Sequence, residues 1–129
     1  MSFTALHVDD APEVVAPDGS AVRVLVRAAG GSMARFSLPP SAVSRAVAHR
    51  TVDEVWYFLA GTGRMWLRSG GQEAIIDVAA GLSIAIQAGT SFQFRCDSAE
   101  PLQAIGVTMP PWPGEDEALP QEGPWPATV

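Results

Sequence analysis

The chain has no lysine, and its arginines form no stripe or cluster along the sequence. Eight basic residues are outnumbered by fourteen acidic ones, which gives a formal net charge of −6 at pH 7. Binding to nucleic-acid phosphates or to anionic lipids needs a positive surface, so this balance argues against both kinds of partner. We interpret the negative charge as a source of solubility.

Cysteine is nearly absent as well, since Cys96 is the only one among 129 residues. A single cysteine excludes an internal disulfide bond and a cysteine-based zinc cluster, and it fits a reducing compartment. The first residues, MSFTALHVDDAPEV, carry acids where a secretory signal needs bases. No apolar run approaches the roughly 20 residues of a membrane-spanning helix. The sequence therefore predicts a cytoplasmic protein without a membrane partner.

A convincing amphipathic helix is also missing. Apolar residues alternate with polar ones or form short runs separated by Gly, Pro, Asp and Ser, which is typical of an all-β sandwich or barrel in a single domain. The segment GTG at residues 61–63 predicts a tight hairpin, because glycine adopts positive φ without steric cost. The predicted strands span residues 21–28, 32–38, 44–49, 54–60, 64–69, 73–78, 82–86, 91–96 and 102–109.

The two ends of the chain differ from this pattern. Residues 1–20 are predicted to form an N-terminal arm, and residues 110–129 contain six of the eleven prolines and two of the four tryptophans. Proline supplies no donor to a sheet, so residues 110–129 cannot form a central strand. Trp112 and Trp125 argue against a free tail, and we expect an extended strap that packs on the barrel or on a second subunit. The run GEDE at 114–117 is interpreted as a solvated charge run.

Two segments of the sequence each have a characteristic spacing of residues. In AVAHRTVDEVWYFLAGTGRMW, His49 is followed by Glu54 and Gly61 in the pattern H-x4-E-x6-G. The later segment GLSIAIQAGTSFQFRC begins at Gly81, keeps a glycine at 89 and ends at Cys96. These two segments resemble the two motifs of the cupin superfamily. The resemblance implies a double-stranded β-helix, a small jelly-roll barrel over residues 21–109, and a homodimer.

The resemblance also implies a metal site of three histidines and one glutamate, and only half of it is present. His49 and Glu54 match two of the ligands, while Val47 and Phe92 stand where histidines are expected. Two ligands hold a metal weakly, so we expect no tightly bound cofactor; a divalent metal (Fe, Zn, Mn or Ni) at His49 and Glu54 is the alternative. The other histidine, His7, lies outside the motifs. The conceivable replacement ligands are Ser91, Gln93 and Cys96.

Strand alternation indicates what surrounds these two residues inside the barrel. The inward positions beside His49 and Glu54 are apolar or aromatic, and we predict that they bind a small organic molecule. These predicted ligand-binding residues are Val47, Trp56, Phe58, Phe92 and Phe94. The plainer alternatives are that the aromatic residues are only core and that His49 and Glu54 are a buried hydrogen-bonded pair.

Three functions remain open at this point. The first is binding of a small organic ligand without a tightly held metal. The second is an enzyme in which His49 and Glu54 act as catalytic residues, either as a metal-free acid–base pair or with a metal in an oxygenase or isomerase. The third is a non-catalytic module with a packed barrel, in which the face of Trp66 between Arg64 and Arg68 forms a surface patch or a dimer contact.

Overall fold

The computed structural model describes residues 3–129, in which no α-helix occurs and two short 3-10 turns lie at Val8–Asp10 and Glu115–Glu117. None of these described residues belongs to a helix long and apolar enough to cross a membrane. Residues 1 and 2 of the predicted N-terminal arm lie outside the described part. The strands are β1 (Glu13–Val15), β2 (Ala21–Ala28), β3 (Gly31–Leu38), β4 (Val47–His49), β5 (Asp53–Ala60), β6 (Thr62–Ser69), β7 (Gln72–Ala79), β8 (Ser83–Ile86), β9 (Ser91–Cys96), β10 (Leu102–Met109) and β11 (Ala118–Pro120).

The strands form two antiparallel sheets that pack face to face. One has the order β1-β2-β3-β10-β5-β8, and the other has the order β11-β4-β9-β6-β7. The jelly-roll barrel predicted from the sequence is confirmed, and all nine predicted strands are present. Two further strands of three residues are not predicted: β1 lies in the predicted arm, and β11 lies in the proline-rich strap and ends at Pro120.

The alternation that predicts a strand also decides which side chains enter the barrel. Along β5, Glu54, Trp56 and Phe58 are buried, whereas Val55 and Tyr57 point outward and are exposed. A buried residue at every second position is the burial pattern of a strand with one face on the core. The barrel interior is therefore built from one face of each strand. Its core residues are Leu38, Ala42, Val47, Trp56, Phe58, Met65, Val78, Ile86, Phe92, Phe94, Cys96, Leu102 and Ala104.

The predicted hairpin at residues 61–63 is wrong. β5 pairs with β8 and β10, while β6 pairs with β7 and β9, so the chain crosses from one sheet to the other at Gly61. Gly61 has φ +77°, and an added Cβ would come within 2.5 Å of the Pro101 carbonyl oxygen. The glycine is needed for this turn, but the turn joins two sheets instead of two paired strands.

The C-terminal strap packs on its own barrel. The Gln93 side chain donates hydrogen bonds to the carbonyl oxygens of Ser44 and Trp125, at 2.8 Å each, and accepts one from the Trp125 N–H. The guanidinium of Arg95 lies 4.7 Å from the centre of the Trp125 ring. These contacts bury Gln93 beneath the strap on the outer side of β9.

The expected surface patch at Trp66 is not a surface in this structure. Trp66 is only 1% exposed, its indole donates to the Glu73 carboxylate, and Arg68 lies 5.2 Å from its ring centre. The cation–π contact is present, but the ring is covered within one chain. Trp66 is therefore not free to form a dimer contact.

Candidate functional site

A cavity of about 390 Å³ lies between the two sheets, at the end of the barrel where β5 begins and β10 ends. Of the predicted site residues, five line it and come from three strands: β4, β5 and β9. The strap closes one side with Trp112 and Ala118. The five predicted residues that line the cavity are Val47, His49, Glu54, Trp56 and Phe92.

The other two predicted ligand-binding residues, Phe58 and Phe94, are not among the residues that line the cavity. They are buried in the core, with ring centres 5.9 Å and 5.1 Å from that of Trp56. Both lie one inward position further along their strands than a cavity residue, Trp56 on β5 and Phe92 on β9. The structure therefore gives them a packing position beneath the cavity wall.

His49 and Glu54 face each other inside the cavity. Nδ1 of His49 lies 3.6 Å from Oε1 of Glu54, and both side chains are almost fully buried. This distance is too long for a hydrogen bond. Among the described residues, neither of these two atoms nor Nε1 of Trp56 has a hydrogen-bond partner. A pair that merely satisfies its own buried polarity does not fit this geometry, because each unpaired group carries its full desolvation cost.

Gly106 on β10 makes room for this arrangement. It pairs with Trp56 across the sheet and lines the cavity. A Cβ at this position would lie 2.6 Å from the Phe36 ring, 2.9 Å from Oε2 of Glu54 and 3.2 Å from Nε1 of Trp56. The missing side chain thus lets three side chains converge at one point of the cavity wall.

Glu54 is held in an environment that favours its protonated form. Burial raises its pKa to about 7, the nearby Trp56 indole opposes part of the shift, and the charge of Asp18 adds to it. Asp18, in the turn between β1 and β2, is buried as well, and burial raises the pKa of its carboxyl group against two hydrogen bonds from Ser20. Near neutral pH, Glu54 is therefore divided between acid and carboxylate.

His49 is held in the neutral form. Burial lowers the pKa of its imidazole, and the charge of Glu117 partly offsets this effect. The ring packs edge-on against Phe92 and Trp112, with centre distances of 5.2 Å and 5.0 Å. An unprotonated imidazole beside a carboxyl group that titrates near neutrality can exchange protons with it or with a bound molecule.

Glu117 fixes the chain next to His49. Its carboxylate accepts hydrogen bonds from the Thr51 N–H at 2.6 Å, the Thr51 hydroxyl at 2.6 Å and the Val52 N–H at 2.9 Å. Burial would raise the pKa of Glu117, but these hydrogen bonds and His49 hold it below its usual range. The interpretation of GEDE as a solvated run is wrong for Glu117, which is 5% exposed.

Several residues that line the cavity, and Glu117 beside His49, escape the sequence analysis. Asp18 and Glu117 lie in turns, where no periodicity shows which way a side chain points. Phe36 lies on a predicted strand and could be found from its alternation with Leu38, and Trp112 belongs to the strap that was expected to pack on the barrel. The further lining residues that no motif marks include Arg27, Ser32, Thr108 and Glu115.

The donor set does not fit the metal site that the family resemblance implies. Within residues 3–129, no group of three His, Cys, Asp or Glu side chains is arranged to hold a metal ion. Gln93 and Cys96, considered as replacement ligands, point elsewhere: Gln93 bonds to the strap, and Cys96 contacts the Glu100 carbonyl at 3.2 Å. Ser91 is bonded to Gln121 in the strap. The exposed His7 pairs with Asp9, outside the cavity.

Comparison with known protein families shows that residues 34–108, more than half of the chain, match the family described as Cupin domain. This chain belongs to the cupin family. The match confirms the resemblance carried by the two motifs, and it contains every predicted site residue. No curated protein is close enough in sequence to this cupin to count as a match.

Two solved structures share the fold of this cupin over most of its length. A variant of PAC13 from Streptomyces, solved with uridine, is 14% identical and has a TM-score of 0.74, with 94% of this chain and 92% of that chain covered. PAC13 is described as a nucleoside dehydratase. Oxalate decarboxylase from Bacillus subtilis is 17% identical and has a TM-score of 0.77, with 89% of this chain and 31% of that chain covered.

This cupin thus spans about a third of the oxalate decarboxylase chain, which is described as having Mn(II) centres. At these identities the likeness shows the fold alone. The fold hosts both a nucleoside dehydratase and a metal-containing decarboxylase, so the activity has to be argued from the site.

Proposed function

We propose that this cupin binds a small organic molecule in its cavity, without a tightly bound metal, and that Glu54 and His49 orient the ligand. The observation that carries the proposal is the set of unpaired polar atoms, Nδ1 of His49, Oε1 of Glu54 and Nε1 of Trp56, in the wall of a cavity of about 390 Å³. A ligand that hydrogen-bonds to them would remove their desolvation cost.

The rest of the wall suits such a ligand. Small-molecule sites are concave and mostly apolar, with a few polar groups that fix orientation. Here Phe36, Trp56, Phe92 and Trp112 supply apolar surface, and the polar groups lie among them. The cavity is far larger than one or two waters need, which opposes the alternative of a non-catalytic module with a fully packed barrel.

The fold likeness to PAC13 suggests where a ligand search should begin. That protein is described in complex with uridine, and its fold matches this cupin along nearly the whole of both chains. Nucleosides therefore belong in the first panel of test compounds, beside monosaccharides, small amines and small carboxylic acids.

The test is isothermal titration calorimetry with this panel, on protein purified without chelator. We expect at least one compound class to bind with one-to-one stoichiometry, and Glu54→Gln to weaken that binding. The matched control is Glu100→Gln, which makes the same chemical change at an exposed position. The proposal is wrong if no class binds, or if the two variants behave alike.

Metal analysis of the same preparation tests the second half of the proposal. Only two donors of the four-ligand cupin set are present, so we expect Fe, Zn, Mn and Ni well below one equivalent per chain. A full equivalent of any of these metals, lost in the variant His49→Ala, would contradict the proposal.

A second candidate function is metal-free acid–base catalysis, because Glu54 titrates near neutrality within 3.6 Å of a neutral imidazole. Such a pair suits isomerisation, epimerisation or dehydration, in which a proton leaves one atom of the substrate and another is delivered. If a compound from the panel is turned over, Glu54→Gln and His49→Ala should each abolish turnover. If the cavity only binds ligands, the same variants should only weaken binding. Full activity in both variants excludes this candidate.

We also propose that the chain forms a homodimer and is cytoplasmic. On the outer face of one sheet, Val55, Tyr57 and Leu59 are 43%, 51% and 43% exposed on a single strand, β5. Apolar surface of this kind is commonly covered by a partner. Light scattering should give twice the chain mass of 13.6 kDa, and Tyr57→Arg should shift it toward the monomer. A mass of one chain for the unmodified protein would contradict the proposed dimer.

A further inference from the structure

We infer that the cavity selects organic cations, meaning molecules with a protonated amine on a small apolar or aromatic body. This inference rests on the proposed function, because it names the class of ligand that the same cavity takes. It comes from the residues that meet there: two buried carboxyl groups and four aromatic rings, with no buried arginine among the lining residues of the described chain.

The first carboxyl group is that of Glu54. It is 3% exposed, and its Oε1 has no hydrogen-bond partner among the described residues. An ammonium group is a compact donor of three hydrogen bonds, and a charged bond of this kind to a carboxylate is about twice as strong as a neutral one. The ammonium group of a ligand in the cavity, placed next to Glu54, would give this oxygen its missing hydrogen-bond partner.

The second carboxyl group is that of Asp18, which is held by a rigid turn. Both hydrogen bonds from Ser20, from its N–H at 2.9 Å and its hydroxyl at 2.6 Å, go to Oδ1. Oδ2 has none from the described residues. The Asp18 carbonyl oxygen accepts from the Arg45 N–H at 2.8 Å, which ties the turn to the chain leading into β4. Asp18 is therefore preset beside the cavity with one oxygen left over.

The aromatic walls add attraction of the same sign. Cations bind to the faces of aromatic rings, most strongly to tryptophan, and the strength increases where water is excluded. Phe36, Phe92 and Trp112 line the cavity together with Trp56, one face of which is covered by Phe36, stacked on it at a centre distance of 4.6 Å. A neutral or anionic ligand would gain only the apolar part of this contact.

The other charged groups around Glu54 do not reverse this preference. His49 is held neutral by burial, which lowers the pKa of its imidazole. Arg27 and Glu115 line the cavity at exposed positions, carry opposite charges and are screened by solvent. The charge of Arg45 acts on Asp18 and that of Glu117 acts on His49, with opposite signs. Arg45 is exposed to solvent and does not line the cavity, so Glu54 and Asp18 are the buried acidic groups of its deep part.

Cation binding should release a proton from Glu54 and depend on pH. The pKa of Glu54 is raised to about 7 in the free protein, and only its carboxylate form pairs with a cation. Because the ionised fraction rises through this pKa, affinity should increase about tenfold from pH 6 to pH 8. The proton goes to the buffer. Titration in two buffers of different ionisation enthalpy would then give different binding enthalpies at pH 6.5.

The experiment compares 2-phenylethylamine, 2-phenylethanol and phenylacetate, which share one body and differ in charge. At pH 8 we expect the amine to bind at least about tenfold more tightly than the alcohol, and the acid to bind most weakly. Glu54→Gln should remove most of the preference and the pH dependence, and Asp18→Asn should remove part of it. Glu100→Gln should change neither.

The outcomes separate the two levels of the argument. Equal binding of amine and alcohol, or preferred binding of the acid, overturns the inference and leaves the proposed function standing. Binding of uridine but of none of the three probes does the same. If neither these probes nor any class in the wider panel binds, both are wrong. Circular dichroism of each variant shows whether it is folded. If Glu54→Gln does not fold, Asp18→Asn still tests the inference.

Discussion

The two halves of the barrel interior use the same strands for opposite purposes. On β5, β9 and β10 the closed half contains Phe58, Phe94 and Ala104, each at most 2% exposed and packed against other apolar groups. In the open half the corresponding positions, two residues along each strand, are Trp56, Phe92 and Gly106, which line the cavity.

This difference shows that apolar packing and the polar cavity are separated along the strands, not between elements. One inward face runs from apolar core to polar cavity within a few residues, and Glu54 lies at the open end of that face. Core packing in the closed half can therefore tolerate the unpaired polar groups of the open half. We expect substitutions in the closed half and in the open half to have different kinds of effect, and four variants test this distinction.

The largest effect is expected from Phe58→Ala in the closed half. Phe58 is fully buried, and removing its ring should lower the free energy of unfolding by about 3–5 kcal/mol. Urea denaturation followed by far-ultraviolet circular dichroism measures this loss. The matched variant Phe92→Ala, beside the cavity, should cost less, since its site already borders open space. An equal loss at both positions would mean that the halves are not distinct.

The next effect belongs to Glu54, whose pKa rises from 4.5 when unfolded to about 7 when folded. The folded state holds this proton more tightly, so its contribution to stability is full below pH 4.5 and is lost as the pH rises through 7. The loss amounts to about 3 kcal/mol at 1.36 kcal/mol per pKa unit. The raised pKa of Asp18 changes the stability of the protein in the same direction. The lowered pKa of His49 acts in the opposite direction and makes the protein less stable as the pH falls.

The measurement is the free energy of unfolding from pH 4.5 to pH 8 for the unmodified protein and for Glu54→Gln. The stability of the variant relative to the unmodified protein should rise with pH across this range. Parallel curves would show that Glu54 does not titrate near neutrality. Glu100→Gln supplies the curve expected from an exposed glutamate.

A smaller effect is expected from Glu117→Ala, which breaks three hydrogen bonds to Thr51 and Val52. Leaving the buried Val52 N–H without a partner should cost about 1–3 kcal/mol, whereas the donors of the exposed Thr51 can turn to solvent. Because Glu117 raises the pKa of His49, its removal should lower that pKa further, and nuclear magnetic resonance titration of the imidazole would show the change. Asp116→Asn, at the neighbouring position, is the control. If the His49 titration is unchanged in Glu117→Ala, the strap does not influence the site.

The smallest effect is expected from Ser32→Ala at the cavity rim. The Ser32 hydroxyl lies 2.7 Å from that of Thr108 and accepts a hydrogen bond from the Trp112 N–H at 2.8 Å. Its loss should cost about 1 kcal/mol and loosen Trp112, which tryptophan fluorescence reports. Ser83→Ala, at an exposed position, should change neither quantity. If both variants match the unmodified protein, Ser32 does not position the strap.

How far the sequence predicts this molecule follows from what alternation can and cannot show. Period-two alternation identified the inward face of β5 and with it Glu54, Trp56 and Phe58. It does not show how far along the barrel each residue lies, and the prediction that Phe58 and Phe94 line the cavity is therefore wrong. Spacing alone likewise gave the turn at Gly61 without showing that it joins two sheets.

Residues outside the strands were harder still. Asp18 and Glu117 act through hydrogen bonds between segments far apart in the chain, such as Glu117 with Thr51, and no local pattern records such a pair. The strap is predicted because two tryptophans in a proline-rich segment need a partner. Which ring reaches which side of the barrel depends on tertiary packing, and Trp112 reached the cavity while Trp125 reached Arg95.

The bare backbone at Gly106 has a consequence for anyone who wishes to resize the binding space. Side-chain atoms of Phe36, Glu54 and Trp56, not main-chain atoms, are what a methyl group there would meet. Alanine at this single position would therefore push the acid and the indole apart and shrink the chamber from its floor, with both sheets left intact. The volume of the cavity could then be reduced by one substitution, without redesigning a wall.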